Sequence, residues 1–460
     1  MLDIKLIREN PELVKANIKK KFQNDKLPLV DKLLELDEEW RKGKVKVDGL
    51  RHERNKISEE INKAKKEKNE HHAQELIKKA KDIPERIREV EERAEKLDAE
   101  IKEIIMKLPN IISDKTPSGK DASENIEIKK GGKIPKFSFT PKSHVELAES
   151  LGIANFEASS KVSGNGFYYI KRELAVLNQA LVRFAIDFMR KKGYEYIETP
   201  LMLNEKSIYA SMDKGAIEQS VYKIEGEDLA LIGTAEQSLL AMHAGNVIPE
   251  WELPKKYFSY SMCFRKEVGA HGINEKGLWR THQFNKIEQF IFCKPEDSSK
   301  LYEELLKNSM DILNELELPY HVIELCTGDL ADWKHRSADL EVWRPTLNAY
   351  GEVMSLSNCT DFQARKLDIK CIDPQGNRRV LHTLNDTALA TSRIMVTIIE
   401  NNQQKDGSIK IPKALWKYTG FKVIEMQKKE KKKESKNKKE KAKKVSVKKP
   451  KKVTKKIKKK

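Results

Sequence analysis

Apolar residues recur along the first hundred positions in steps of four and three. From Leu29 the series runs through Leu33, Leu36, Trp40, Val47, Leu50, Ile57, Ile61 and Ala64, broken at Gly43 and Arg54. A second series follows the polar stretch from Lys65 to His72. It runs Ala73, Leu76, Ala80, Ile83, Ile87, Val90, Ala94, Leu97, Ile101, Ile104, Leu108. Such spacing keeps one stripe on one side of a helix. Two stripes in series with a polar tip predict an antiparallel coiled coil, each arm roughly 50 Å long at about 1.5 Å per residue. Pro84 lies inside the second arm, where the missing N–H and the bulky ring predict a kink or a lost hydrogen bond. On periodicity alone the hairpin reads as a structural or dimerising element.

Beyond it the pattern changes. Pro109 should end the second helix, and the Pro-, Gly-, Ser- and Lys-rich stretch that follows reads as a linker. The expected division is a helical hairpin over 1–110, a linker over 111–136, a body over 137–421 and a tail over 422–460. Within the body, strand and helix patterns mix without a βαβ rhythm, which predicts an α+β fold. A helix from Arg172 to Lys192, apolar at Leu174, Leu177, Ala180, Leu181, Phe184 and Phe188, should stop at Gly193 and feed a strand from Tyr194 to Leu203. Further on, Tyr257, Ser259, Ser261, Cys263 and Arg265 share one parity, and Lys286 and Glu288 share a face of a second run. These predict two strands joined by a loop holding Gly269, Gly272 and Gly277.

The formal charge of the 460-residue chain is +18. From Gln427 to Lys460 there are 20 Lys and 3 Glu, a net of +17, which leaves +1 for everything before it. The tail has too few apolar residues to bury a core and is expected to be disordered, serving either electrostatic attachment to RNA or mere solubility. Five widely spaced cysteines, with no Cys-x-x-Cys pair, predict reduced and mostly buried thiols rather than a disulfide framework or a zinc site. The first residues lack a signal-type apolar core, and no apolar run approaches membrane length, so a soluble cytoplasmic protein is expected. Neither a Gly-x-Gly-x-x-Gly nor a Walker-type loop is present, so any nucleotide must be held another way.

The two-strand segment supplies that other way. Phe264-Arg265-Lys266-Glu267 opens the loop, and Gly277-Leu278-Trp279-Arg280-Thr281-His282-Gln283-Phe284-Asn285-Lys286-Ile287-Glu288 closes it. Antiparallel pairing lets Arg265, Glu267, Arg280 and Glu288 converge, and paired guanidiniums match the oxygens of a polyphosphate. A solvated hairpin with cross-strand Arg–Glu pairs has the same composition. The run resembles motif 2 of the class II aminoacyl-tRNA synthetases, and specifically that of the seryl-tRNA synthetases. The Arg172–Leu203 segment resembles motif 1, which in the family forms a homodimer interface. Thr383-Leu384-Asn385-Asp386-Thr387 through Arg393, running into an apolar helix, resembles motif 3, with Asp386 departing from the bacterial pattern towards the archaeal and eukaryotic one. Thr234-Ala235-Glu236 resembles the serine-binding Thr-x-Glu, with Gly233 where many members have Pro. Glu352-Val353-Met354-Ser355 resembles the segment that holds ATP and Mg²⁺, with Met354 a mild departure.

The resemblance implies a class II antiparallel sheet flanked by helices and a reaction in which serine and ATP give seryl-adenylate, whose seryl group passes to the 3′ end of tRNA(Ser). It leaves tRNA(Sec) open as a second substrate. It also implies that the helical arm grips tRNA. Arg265, Glu267, Arg280 and Arg393 are then the catalytic set. ATP falls to these four with Thr281, Phe284, Glu352, Val353, Met354 and Ser355, and serine to Thr234, Glu236, Arg265, Glu288, Asn385 and Thr387. Glu352 and Ser355 are expected to place Mg²⁺ through ATP, and His282 to be a structural side chain. Two other readings use the same residues: a tRNA-independent paralogue that charges a carrier protein, and an RNA-binding scaffold that has lost catalysis. The intact arm counts against the first and the intact arginines and glutamates against the second.

Overall fold

The structure, a computed structural model, describes residues 1–268 and 276–426. The lysine-rich tail and two of the loop glycines, Gly269 and Gly272, lie outside the described residues.

The heptad stripes become helices Leu27–Lys66, Glu70–Ala80 and Ile83–Lys107. Leu33, Val47, Leu50, Ile57 and Ala64 are buried on the first arm, and Ala73, Leu76, Ile83, Ile87, Ala94, Leu97, Ile101 and Ile104 on the return. The two breaks in the first stripe resolve separately. Arg54 is exposed, whereas Gly43 faces Val90, whose Cγ1 would lie 3.8 Å from an added Cβ. Charged pairs flank the seam, with Arg51–Glu91 at 2.6 Å and Arg93 bidentate to Glu39 at 2.9 and 3.0 Å. The kink expected at Pro84 is a full break: one helix stops at Ala80 and the next opens with Pro84 in its first turn. Proline fits there because first-turn N–H groups have no intrahelical partner to lose.

Eight strands form the main sheet: β1 (Ile126–Gly131), β2 (Glu195–Tyr196), β3 (Lys255–Phe264), β4 (Gln283–Cys293), β5 (Tyr320–Glu324), β6 (Arg336–Arg344), β7 (Ala349–Thr360) and β8 (His382–Ala390). Their order is β1-β5-β6-β7-β8-β4-β3-β2, and every neighbouring pair is antiparallel except β2 and β3. Helices Arg172–Lys191, Ser298–Glu315 and Thr391–Asn401 cover one face. There Phe258, Ile287, Ile291, Leu340, Leu356 and Leu384 bury against Leu177, Leu181, Tyr302, Leu305 and Ile398, at about 1.5–3 kcal/mol per large side chain. On the other face Tyr257, Phe290, Phe292, Leu239 and Leu240 close one end. The rest of that face carries polar side chains: Ser259, Ser261, Lys286, Glu288, Asn385 and Thr387 are all buried. Strand alternation thus gives one side to the core and the other to chemistry.

Two expectations need correcting. Residues 111–136 are not plain linker, because β1 pairs with β5 at the sheet edge, its exposed alternation being too weak a signal beside the turn-forming residues. The strand expected over Tyr194–Leu203 is two short pieces, β2 against β3 and Met202–Leu203 against Ala230–Leu231. Pro200, with no N–H for a ladder, stands between them.

The root of the arm is docked on the body. Leu2, Ile7, Val14, Ile18, Val30, Leu33, Ile101, Ile104 and Leu108 share a buried cluster with Phe362. Asn110 Nδ2 donates to the Cys359 carbonyl at 2.9 Å and the Trp333 carbonyl at 3.2 Å. Lys26 pairs with Asp332 at 2.6 Å. Segments that border the cavity described next are therefore tied to the base of the arm.

Candidate active site

A cavity of about 540 Å³ opens on the polar face of the sheet. Every residue that the sequence assigned to the site lines it except Met354. That side chain is buried in the core on the helix-covered side, so Met354 is withdrawn as an ATP contact. The pairing of β6 with β7 shifts between Leu340 and Glu341, and across that shift Glu352 and Ser355 reach the cavity while Met354 does not.

One end is acidic. Thr234 caps the short helix Ala235–Ala241, its hydroxyl accepting the Glu236 N–H at 3.2 Å. Glu236 Oε1 accepts from Gln363 Nε2 at 2.7 Å and from Asn385 Nδ2 at 3.0 Å. Thr383 Oγ1 donates to Gln363 Oε1 at 2.7 Å, which fixes the amide so that its nitrogen faces Glu236. Burial, and then the charge of Glu288, push the Glu236 carboxyl up to about 7. Glu288 is paired with Lys286 at 2.5 Å. Gly233 also has an evident role here: its N–H donates to Gln237 Oε1 at 2.9 Å, a bond that proline could not make.

The other end is built by arginines. β3 ends at Phe264, and one further rung, Arg265 N to the His282 carbonyl at 2.9 Å, closes the hairpin. Arg265 and Glu267 therefore do not converge by strand alternation, as the parity had suggested. Glu267 instead adopts a left-handed backbone with φ of 50°, a conformation that costs a non-glycine residue free energy and clusters at functional sites. Its Oε2 accepts from Arg280 Nη1 at 3.0 Å. Arg265 donates to the Gly233 carbonyl at 3.1 Å and lies 5.4 Å from the centre of the Phe284 ring. Arg393, in the first turn of Thr391–Asn401, donates to the Glu352 carbonyl at 2.8 Å and pairs with the Glu352 carboxylate at 3.3 Å. Burial would raise the Glu352 carboxyl, but Arg393 and Arg265 outweigh it and hold it below its usual range.

His282 does not line the cavity. Its Nδ1 sits 2.9 Å from the Arg265 carbonyl and 3.1 Å from the Tyr222 hydroxyl, with the ring against Phe167 at 5.1 Å. It is a wedge in the hairpin, as expected. Asp386, in β8, also lies off the cavity, on the helix-covered side of the sheet. It accepts from Gln289 Nε2 at 2.9 Å and Ser309 Oγ at 2.6 Å, and burial, followed by the nearby Glu288 charge, pushes its carboxyl well up.

Sequence reasoning missed Lys286, Lys334 and Trp279 as lining residues, and Gln363 as the amide that bonds Glu236. Lys286 and Trp279 stand inside the hairpin motif already singled out, where parity could have found Lys286. Lys334 lies in a loop with no local pattern, beside Asp332 and Trp333, which bond the arm root.

An antiparallel sheet that presents arginines and carboxylates to one cavity, with no glycine-rich phosphate loop, is the architecture of a class II aminoacyl-tRNA synthetase core. Residues 220–402 match the model of the tRNA synthetase class II core domain (G, H, P, S and T). Residues 1–112 match that of the seryl-tRNA synthetase N-terminal domain. The chain is 47% identical over 420 residues to the serine–tRNA ligase of Methanocella arvoryzae, covering 91% of this chain and 98% of that one. To the Pyrococcus furiosus serine–tRNA ligase it is 44% identical over 452 residues, with 94% and 99% covered. Among solved structures, seryl-tRNA synthetase from Pyrococcus horikoshii complexed with ATP superposes with a TM-score of 0.88 at 43% identity, covering 92% of this chain and 99% of that one. Cytoplasmic serine–tRNA ligase from Naegleria fowleri in complex with AMP gives 0.83 at 32% identity, with 93% and 99% covered. The chain belongs to the seryl-tRNA synthetase family, and the activity that goes with this membership is ATP-dependent ligation of serine to tRNA.

Proposed function

We propose that the cavity activates serine with ATP, that the seryl group then passes to the 3′ end of tRNA(Ser), and that its two ends divide the work. The observation that carries this division is how the charges are paired: Glu236 and Glu288 act on each other at one end, whereas at the other Arg280 and Arg393 pair with Glu267 and Glu352, and Arg265 bonds the Gly233 carbonyl beside Thr234. Glu236 and Glu288 take the serine ammonium, while Thr234, Asn385 and Thr387 line the amino-acid pocket. Arg265 holds the α-phosphate and the serine carboxylate. Phe284 stacks on adenine, Glu267 meets its polar edge, and Thr281 and Val353 border the nucleotide. Arg280 and Arg393 clamp the outer phosphates. No covalent enzyme intermediate is needed, so catalysis rests on positioning the carboxylate against the α-phosphate and on neutralising charge there.

The oxygen donors of Glu352 and Ser355 fit Mg²⁺, a hard cation that favours carboxylate and phosphate oxygen. The buried Asp339 Oδ1, which has no hydrogen-bond partner, lies on the strand facing Ser355 and adds to the acidity of that corner. When bound with ATP, Mg²⁺ would neutralise phosphate charge. The carboxylate of Glu352 is kept ionised for that role by the two arginines.

The helical arm is the tRNA grip and the body from 137 to 421 the catalytic unit; tRNA(Sec) stays open as a second substrate. Val176 on the motif 1 helix, and Leu201 and Met202 in the segment after it, are exposed by 42%, 36% and 49% and support a homodimer through that surface. Among the described residues no helix is long and apolar enough to cross a membrane.

The test is Arg265→Ala in serine-dependent ATP–pyrophosphate exchange. Loss of a charge-assisted contact to the reacting phosphate should cost about 3 kcal/mol, a hundredfold or more in rate. Exchange within threefold of the parent rate would remove Arg265 from the reacting centre.

A further inference from the structure

Arg393 rests partly on Glu352, yet the proposed reaction needs the Glu352 carboxylate for the metal. A carboxylate shared with a metal holds the guanidinium less firmly, so a second anchor matters. The Glu352 carbonyl remains, at 2.8 Å, but a single acceptor leaves the plane of the guanidinium free to rotate. The second anchor is an aromatic face: Arg393 lies 5.5 Å from the centre of the Trp279 ring, within cation–π range.

Trp279 is held in position from several sides. Arg344 lies 4.2 Å from the centre of the same ring. Its own guanidinium is locked to Glu400 by bonds of 3.1 and 2.8 Å. Thr346 Oγ1 adds a third donor to Glu400 at 3.1 Å, and His144 Nδ1 sits 3.0 Å from the same carboxylate. The other nitrogen of His144 accepts the N–H of Leu278, the residue before Trp279, at 3.1 Å. Burial would raise the Glu400 carboxyl, but His144 and Arg344 bring it down to about 2. The anchor therefore stays charged at any working pH. On the remaining side Gly351 leaves room for the indole, since a Cβ there would come within 2.5 Å of Trp279 Cζ2. Glu400 and Arg393 sit on one helix, so the helix that carries the arginine also anchors, through Arg344, the ring that steadies it.

We propose that Trp279 is a positioning residue whose indole face holds Arg393 oriented towards the outer phosphates of ATP when Glu352 is engaged elsewhere. This rests on the reading that Arg393 contacts ATP, and the experiment separates the two. Trp279→Leu should raise the KM for ATP in pyrophosphate exchange at least tenfold and leave the KM for serine within threefold. Trp279→Phe, which keeps a smaller aromatic face, should recover most of the loss. In an Arg393→Ala background Trp279→Leu should add less than threefold, because its effect runs through that arginine. Trp279→Met serves in its place if the leucine variant melts early, since it fills more of the space and has no ring.

A tenfold or larger further loss in the Arg393→Ala background would overturn the proposal, as would equal rises in both KM values or a wild-type KM for ATP without the ring. If Arg393→Ala alone leaves the KM for ATP unchanged, the phosphate-clamp reading fails instead.

Discussion

Glu236 is a carboxylate whose ionisation serine binding should control. Its carboxyl is pushed up to about 7, first by burial and then by Glu288, against the opposing hydrogen bond from Gln363 and the charges of Lys286 and Lys334. The rise above an ordinary glutamate corresponds to about 3 kcal/mol of strain in the charged form, which an incoming ammonium relieves. For folding, a raised carboxyl makes its favourable contribution at low pH and loses it as pH climbs from the ordinary glutamate range through about 7. For serine binding the sign reverses, because the charged form is the one that binds. About nine in ten sites are ionised one unit above that value and about one in ten one unit below. The KM for serine in pyrophosphate exchange should therefore rise about tenfold between about pH 8 and pH 6. Glu236→Gln keeps an acceptor of the same shape without the charge. It should raise the KM for serine about 30- to 1000-fold, the 2–4 kcal/mol range of a broken buried charge pair, and flatten its pH dependence. A KM for serine that stays level across that range in the parent, or a glutamine variant that binds serine as tightly, would refute the assignment.

Three further outcomes are expected. Joining the arms near the Glu39–Arg93 bridge with a short Gly-Ser turn keeps the docked root and removes the tip; serine activation should persist while tRNA charging falls at least a hundredfold, and equal charging would make the distal arm merely structural. Removing 427–460 should flatten the slope of log tRNA affinity against log salt with exchange unchanged, because each phosphate contact releases a counterion; an unaltered slope would mean the lysines do not touch this RNA. Asp386→Asn should keep activity and flatten the decline in thermal midpoint as pH rises, because the native carboxyl is pushed well up by burial and its contribution is lost when it ionises; a steeper decline in the variant would contradict this.

Much of the arrangement was legible because it rests on short-range rules. The heptad stripes gave both arms, and only Pro84, which opens a helix rather than bending one, was misjudged in kind. The hairpin motif placed Lys286 and Glu288 on the cavity side, since β3 and β4 pair in the register its alternation implies. Two things escaped. Glu267 reaches Arg280 through a left-handed residue beyond the strand, and strand periodicity carries no information past its last rung. Lys334, Gln363 and the Glu400 network depend on contacts between segments far apart in the chain, and β1 is an exposed edge strand whose partner lies almost two hundred residues later. Met354 was lost to a register shift between β6 and β7 that no local pattern announces.

The measurement that bears most directly on the whole account is amino-acid specificity in ATP–pyrophosphate exchange, followed by charging of tRNA, with the full chain. Serine alone among the twenty amino acids should support exchange, and the activated serine should appear as an ester on tRNA(Ser). Exchange with another amino acid in preference to serine, or serine activation with no transfer to tRNA, would contradict it.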